Sequence, residues 1–404
     1  MSIGTAELTN ETRVKGPRVR RRTVVVVLGS VCALIVAFLG GGGWYFAGQI
    51  RSDGLAVKPN RPDYTLTVVS YDGVNVTLRE APGHERDDTL RNQSVYGLRW
   101  PGGSGILGPA QSGPSDRSVI RPLTVKTASP PKSGTLAELH SDMYDDPASA
   151  YGVPFQDVAY SCAGGKCPAW YLPGKSETWA VMVHGQGAAR TEPLRALGSV
   201  LRAGMPALVI SYRNDDGAPR DPSGFYRFGA TEWQDLENAV AYAQAHGARH
   251  VILFGFSMGA SITAAFLQHS QHADAVTGVV LDAPMLNFQR TIDFGAEQRR
   301  LPLLGLPIPG ALTWTAKAIA DWQYDIGWKR TNYLDGRWLR VPALVFHGTG
   351  DKTVPIATSD EFAASNPQLV QEVRVDGAEH VESWNANPDS YNARVSKFLT
   401  RVRG

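Results

Sequence analysis

The stretch His250-Val251-Ile252-Leu253-Phe254-Gly255-Phe256-Ser257-Met258-Gly259-Ala260-Ser261 decides how this chain is read. An apolar run rich in strand formers empties into a G-x-S-x-G pattern, and Ala260 to Leu267 continues small and apolar at helical spacing. Ser257 therefore falls on a sharp turn from strand to helix, a setting that holds a hydroxyl out for reaction. The glycines have a mechanical reason: two residues before and after such a turn, a side chain would collide with the neighbouring strand and helix. The helix that follows aims its unpaired amino-end N–H groups at the place where an oxyanion would form.

The pattern alone recurs by chance in turns, so its weight comes from the residues downstream. A serine hydroxyl is a poor nucleophile until a base takes its proton and a third group orients that base. The strand Pro342 to Phe346 is followed by His347-Gly348-Thr349-Gly350-Asp351, and the strand Glu372 to Val375 by Asp376-Gly377-Ala378-Glu379-His380. Each loop leaves the carboxyl end of a strand, which brings Asp351 and His380 toward Ser257 in the order Ser, Asp, His. In that arrangement His380 accepts the serine proton while Asp351 fixes its tautomer and stabilises the imidazolium. Taken singly, each Asp or His is an ordinary loop residue; the order and placement of all three make the case. Asp282, after the strand Gly278 to Leu281, is the alternative acid. His184 and His347, at strand exits, are expected to bond to backbone, and His246, His250, His269 and His272 to be structural or solvent-facing. Oxyanion donors are expected at the backbone N–H of Met258 and, after the strand Thr178 to Val183, at Gln186 or Gly187.

His184-Gly185-Gln186-Gly187, Gly255-Phe256-Ser257-Met258-Gly259, His347-Gly348-Thr349-Gly350-Asp351 with Val354-Pro355, and His380 together resemble the α/β-hydrolase superfamily of serine hydrolases, and within it bacterial esterases, lipases and acyl-peptidase-like enzymes. The resemblance covers about Val153 to the carboxyl end. It implies an acyl-enzyme at Ser257 resolved by water, with no metal or organic cofactor, and it implies no particular substrate. The surrounding pattern agrees with an α/β fold and a mostly parallel sheet. Strands are expected at Phe155 to Tyr160, Ala169 to Leu172 and Ala207 to Tyr212, with helices at Thr191 to Ala203, Ala357 to Ala364 and Ser390 to Val402. Thr231-Glu232-Trp233-Gln234 has the form of a capping box opening a helix to about His246.

The amino terminus differs in kind. From Thr23 to Ala47 no charged residue occurs, and as a helix this run spans about 37 Å against a hydrocarbon core of about 30 Å. It reads as one transmembrane helix, tilted or frayed at Gly40 to Gly43, with Trp44 and Tyr45 at its far end. Arg13, Lys15, Arg18, Arg20, Arg21 and Arg22 precede it, so residues 1–22 are expected in the cytoplasm and the remainder outside. A cleaved signal peptide competes, but the run is long and no clear A-x-A site follows. Of the 40 Lys and Arg and 38 Asp and Glu, the tail takes six and two, leaving 34 against 36; such a balance gives no footing for a nucleic-acid partner. Cys32 lies in the apolar run, and Cys162 and Cys167, spaced C-A-G-G-K-C, are expected to form a disulfide outside the cell. A metal site there lacks further ligands.

Residues 48–152 read as a small β-rich module with an extended linker, containing a hairpin at Tyr64 to Val69 and Val74 to Arg79 and proline-glycine clusters at 100–105 and 129–134. The catalytic domain is expected over 153–404, with a helical lid insertion at about 285–340 that carries Leu301-Pro302-Leu303-Leu304-Gly305-Leu306 and Trp314, Trp322, Trp328 and Trp338. Those tryptophans either line a pocket for acyl or lipid esters or pack the insertion onto the core. Arg213, Asp215, Asp216, Arg220 and Arg227 read as a solvated loop, with binding of a charged substrate group as the alternative. The resulting expectation is a membrane-tethered, extracytoplasmic carboxylesterase or lipase-like serine hydrolase. An acyltransferase or peptidase on the same residues and a non-catalytic binding domain are the other readings.

Overall fold

A computed structural model describes residues 21–58, 62–115, 117–127, 129–302 and 304–403. Most of the basic tail, residues 1–20, and Leu303 of the insertion lie outside them. The apolar amino-terminal run forms α1 (Arg21–Gln49), 29 residues long, or about 43 Å. It is long and apolar enough to cross a membrane. The fraying expected at Gly40 to Gly43 is absent, and two of these glycines form a contact surface: a Cβ on Gly42 would come within 2.9 Å of Leu312, and one on Gly43 within 2.7 Å of Thr315, while Gly40 and Gly41 face open space. The helix also runs past the expected end at Ala47, and a π-helical turn, Ile50–Leu55, follows directly.

The chain then forms β1 (Leu66–Tyr71), β2 (Asn75–Glu80), β3 (Tyr96–Trp100), β4 (Gly103–Leu107), β5 (Gln111–Ser112), β6 (Val119–Val125) and β7 (Leu136–His140). Their order is β2-β1-β7-β3-β4-β6-β5, and a further β2–β6 pairing closes six of them into a barrel. Its core holds Leu66, Val68, Val76, Leu78, Leu98 and Leu107, one face of each strand turned inward at period two. The proline-glycine cluster at 100–105 is therefore a hairpin turn, with Trp100 opposite Gly103, rather than linker. Closure leaves little free strand edge.

A short helix, α2 (Pro147–Tyr151), leads into the second sheet: β8 (Gln156–Cys162), β9 (Gly165–Leu172), β10 (Thr178–Val183), β11 (Ala207–Ile210), β12 (His250–Phe256), β13 (Val276–Asp282), β14 (Ala343–Gly348) and β15 (Val370–Val375). The order is β15-β14-β13-β12-β10-β11-β9-β8. Strands β10 to β15 pair in parallel, while β9 and β8 run antiparallel at one edge. Helices α3 (Leu194–Arg202), α4 (Trp233–Ala245), α5 (Met258–His269), α6 (Phe288–Glu297), α7 (Gly310–Tyr324), α8 (Ala357–Ser365), α9 (Ser383–Ala386) and α10 (Pro388–Val402) complete the chain. Strands such as β10 and β11 are buried along their whole length because helices cover both faces of the sheet. The disulfide joins Cys162 and Cys167 across the β8–β9 turn, with 5.7 Å between Cα atoms.

Two local expectations fail for physical reasons. The capping box at Thr231 does not form: Thr231 Oγ1 donates to Asp221 instead, while the Glu232 carboxylate accepts the N–H groups of Arg227 and Gly229. Nor is the Arg213 side chain solvated, although Asp216 and Arg220 of the same loop are exposed. Arg213 donates to Asp235 at 2.7 and 3.0 Å and to Asp221 at 3.3 Å, all three side chains buried. Arg227 is taken up by the Tyr324 carbonyl.

Candidate active site

Strand β12 delivers Ser257 at φ +49° and ψ −114°, a left-handed conformation that a side chain adopts only where its surroundings enforce it. They do so here through the Ser257 N–H, which donates to Asp282 O at 3.0 Å, and the Ser257 carbonyl, which accepts from Met285 N at 3.1 Å. The flanking glycines are needed for the expected reason. A Cβ at Gly259 would lie 2.2 Å from the Val183 carbonyl, and one at Gly255 2.8 Å from the Gly259 carbonyl.

The structure brings Ser257, Asp351 and His380 together although 94 residues separate the first two. Ser257 Oγ lies 2.8 Å from His380 Nε2, and His380 Nδ1 lies 2.7 Å from Asp351 Oδ2. Asp351 Oδ1 accepts the N–H groups of Thr353 and Val354 at 2.8 and 2.9 Å. His347 Nε2 stands 3.2 Å from Asp351 Oδ2, behind the carboxylate, while its Nδ1 bonds Ser359. Burial alone would raise the Asp351 pKa, but hydrogen bonds from His347 and His380 outweigh it and hold the carboxyl far below its ordinary range. An ionised carboxylate, an imidazole and a hydroxyl in series can pass a proton from oxygen to ring nitrogen and keep the resulting imidazolium stable.

Asp282 is placed elsewhere. It accepts from Ser383 Oγ at 2.7 Å, and burial pushes its pKa up to about 6. His184 stacks on Tyr212 and bonds the Gly185 carbonyl and Asp215, both at 2.8 Å, so it braces the neighbouring loop.

That loop runs hard against the serine: a Cβ at Gly185 would lie 3.0 Å from Ser257 Cβ. Its position is set by Glu192, whose carboxylate accepts the Gly185 N–H at 2.6 Å. Glu192 was not distinguishable in the sequence from any acidic residue at a helix start. Among the described residues, the backbone N–H groups of Gln186 and Gly187 have no hydrogen-bond acceptor. The Gln186 side chain turns the other way and donates to the Gly54 carbonyl at 2.7 Å.

Gln186 and Met285, the latter bonded to the Ser257 carbonyl, line a cavity of about 270 Å³ whose walls are mostly apolar, with Asp53, Arg299 and Lys352 as its charged groups. Met285, Phe288 and Ile292 line one side, Thr313 and Ala316 of α7 another. The third wall is the end of α1, through Phe46, Gln49 and Ile50. No pattern in the sequence linked the amino-terminal helix to the site. The tryptophans of 285–340 divide: Trp338 stacks on Phe362 and Trp328 on Phe288, while Trp314 and Trp322 are 70% and 78% exposed.

The chain belongs to the alpha/beta hydrolase family, whose profile matches residues 180–394, just over half of its length. It is a hydrolase by that membership. Among solved structures, the esterase Pf2001 of Pyrococcus furiosus is 20% identical, with 64% of this chain and 95% of that one aligned at a TM-score of 0.50. A thermophilic esterase from Thermogutta terrifontis is 17% identical over 62% of this chain and 100% of that one, at a TM-score of 0.45. The alpha/beta hydrolase GrgF from Penicillium is 17% identical over 62% of this chain and 99% of that one, at a TM-score of 0.46. No curated protein matches the sequence. At such identities the likeness speaks to fold, and the chemistry rests on the residues.

Proposed function

We propose that this protein is a membrane-tethered, extracytoplasmic serine hydrolase that cleaves a carboxylic ester or thioester through Ser257, His380 and Asp351. The observation that carries the reading is the unbroken chain from Ser257 Oγ through the two ring nitrogens of His380 to Asp351, at 2.8 and 2.7 Å. Ser257 Oγ attacks the acyl carbon as His380 Nε2 takes its proton. The oxyanion is met by the N–H group of Met258 and that of Gln186 or Gly187. Collapse expels the alcohol or thiol, which takes the proton from His380, and leaves an acyl-serine. Water, deprotonated by His380, then releases the acid and restores Ser257. Residues 153–404 form the catalytic domain in this reading, 48–152 a β-rich module packed on it, and α6 and α7 a lid over the cavity.

The length and composition of α1 support tethering, and the basic residues before it support an extracytoplasmic catalytic domain. The disulfide is in keeping with an oxidising compartment. Labelling of the detergent-solubilised chain with a fluorophosphonate tests the chemistry. Wild type should label, and Ser257→Ala and His380→Ala should not. A folded wild-type protein that neither labels nor turns over p-nitrophenyl esters refutes the reading.

A further inference from the structure

Helix α7 has two apolar faces. Leu312, Ala316 and Ala320, spaced at i, i+4 and i+8, are buried against the rest of the protein. About half a turn away, Trp314, Ala318 and Trp322 have the same spacing and are exposed, with no charged side chain in that row. A helix that is apolar on both faces has partners on both, yet the outer row meets none within the described residues.

The position of α7 identifies the missing partner. Its buried side packs on Gly42 and Gly43, in the last third of α1, so α7 stands at the level of Trp44 and Tyr45, themselves 59% and 51% exposed. In the loop before it, the Leu301 N–H donates to the Leu306 carbonyl, and Leu304 and Leu306 are 63% and 57% exposed. Arg299 and Arg300 precede this loop, Arg299 paired with Asp53 at 3.1 Å at the rim of the cavity. Tryptophan beside a membrane span belongs in the interfacial belt.

We propose that α7, with Leu304 and Leu306 ahead of it, is embedded in the same bilayer leaflet as the end of α1, and that the cavity takes the acyl chain of a lipid ester drawn from that leaflet. The proposal rests on the serine-hydrolase reading for the reaction and on α1 spanning the bilayer. The membrane anchor and α7 then wall the substrate pocket jointly, through Phe46 and Ile50 on one side and Thr313 and Ala316 on the other. An acyl chain lying between them meets Phe46, Ile50, Met285, Phe288 and Ile292, with Gln186 and Met285 on the side of Ser257.

The test uses the full chain reconstituted in phosphatidylcholine vesicles. Two double variants are compared with wild type: Trp314→Glu with Trp322→Glu, and Trp314→Phe with Trp322→Phe. Three readouts are taken: hydrolysis of soluble p-nitrophenyl acetate, hydrolysis of a long-chain acyl ester dissolved in the vesicles, and quenching of tryptophan fluorescence by brominated phosphatidylcholine. The expected result is a loss of at least tenfold on the vesicle-borne ester for the glutamate variant, with the acetate rate unchanged and the phenylalanine variant close to wild type. Quenching should be smaller in the phenylalanine variant, by the share of the two missing indoles. Equal rates of the glutamate variant and wild type on the vesicle-borne ester overturn the proposal, as does unchanged quenching in the phenylalanine variant. A wild type inactive on both esters would overturn the hydrolase reading and the substrate assignment with it, while quenching would still decide whether α7 is embedded.

Discussion

The hydroxyl of Tyr96, on β3 of the barrel, donates to Glu382 Oε2 at 2.6 Å, two residues beyond His380. Next to it, Val95 N–H donates to the Asn385 carbonyl at 3.0 Å, and Asn385 Nδ2 returns a bond to the Val95 carbonyl at 2.8 Å. From the opposite side Arg195 donates to the carbonyl of Val381, a β-branched residue held at φ +56°. The barrel thus helps fix the loop that presents the histidine. Tyr96→Phe should lower stability by about 1–3 kcal/mol, since it removes one partner of a buried carboxyl. It should also reduce kcat several-fold with KM unchanged, measured by thermal unfolding and soluble-ester kinetics.

Asp351→Asn should cost on the order of 10⁴ in kcat, as loss of the orienting carboxylate does in other serine hydrolases. Asp282→Asn should leave kcat within a few-fold of wild type, because Asp282 bonds Ser383 and not His380. Steady-state kinetics of the two variants assign the acid, and an inverted ranking would move that role to Asp282.

Stability should fall as pH rises through weak acidity. Burial raises the pKa of Asp282 to about 6 and that of Glu382 to about 7, against ordinary values of 3.8 and 4.5. Between each pair of values the folded state binds more protons than the unfolded one, so unfolding becomes easier with rising pH and levels off above about 7. The loss amounts to up to about 3 kcal/mol for each group. Asp351 works in the opposite direction: its stabilisation is complete above its ordinary value and goes only in strong acid. Urea unfolding in detergent micelles from pH 4 to 8 should show the decline, and Asp282→Asn should flatten it.

Asp235→Ala should destabilise the fold by about 3 kcal/mol, because it removes the closer of the two carboxylates that pair with the buried Arg213 guanidinium and leaves only Asp221 at 3.3 Å. Denaturant midpoints measure the effect. A loss below about 1 kcal/mol would mean that water reaches Arg213.

The parallel strands and the positions of Ser257, Asp351 and His380 were legible because each depends on a local pattern: a buried apolar run, a glycine turn, a loop at a strand end. What the sequence concealed arises where distant segments meet. Gly42 and Gly43 resemble weak points of a helix until Leu312 and Thr315 are seen against them. The glycines and prolines near Trp100 suggest linker until β3 and β4 pair around them. Arg213 looked solvated because its carboxylates, Asp221 and Asp235, come from loop and helix positions that no spacing rule connects. Gln186 was expected for its backbone N–H alone, and the bond from its side chain to Gly54 joins segments 132 residues apart.

The join between α1 and the hydrolase fold has no slack. Gln49, the last residue of α1, already lines the cavity, the Gly54 carbonyl is held by Gln186, and the Leu55 carbonyl by the Tyr226 N–H at 2.9 Å. With α1 in a bilayer, Ser257 stands at a fixed height above that surface, and the helix works as a ruler instead of a leash. In the proposed reading only scissile bonds held near that height come within reach, which would confine the enzyme to its own membrane and keep it off a neighbouring one.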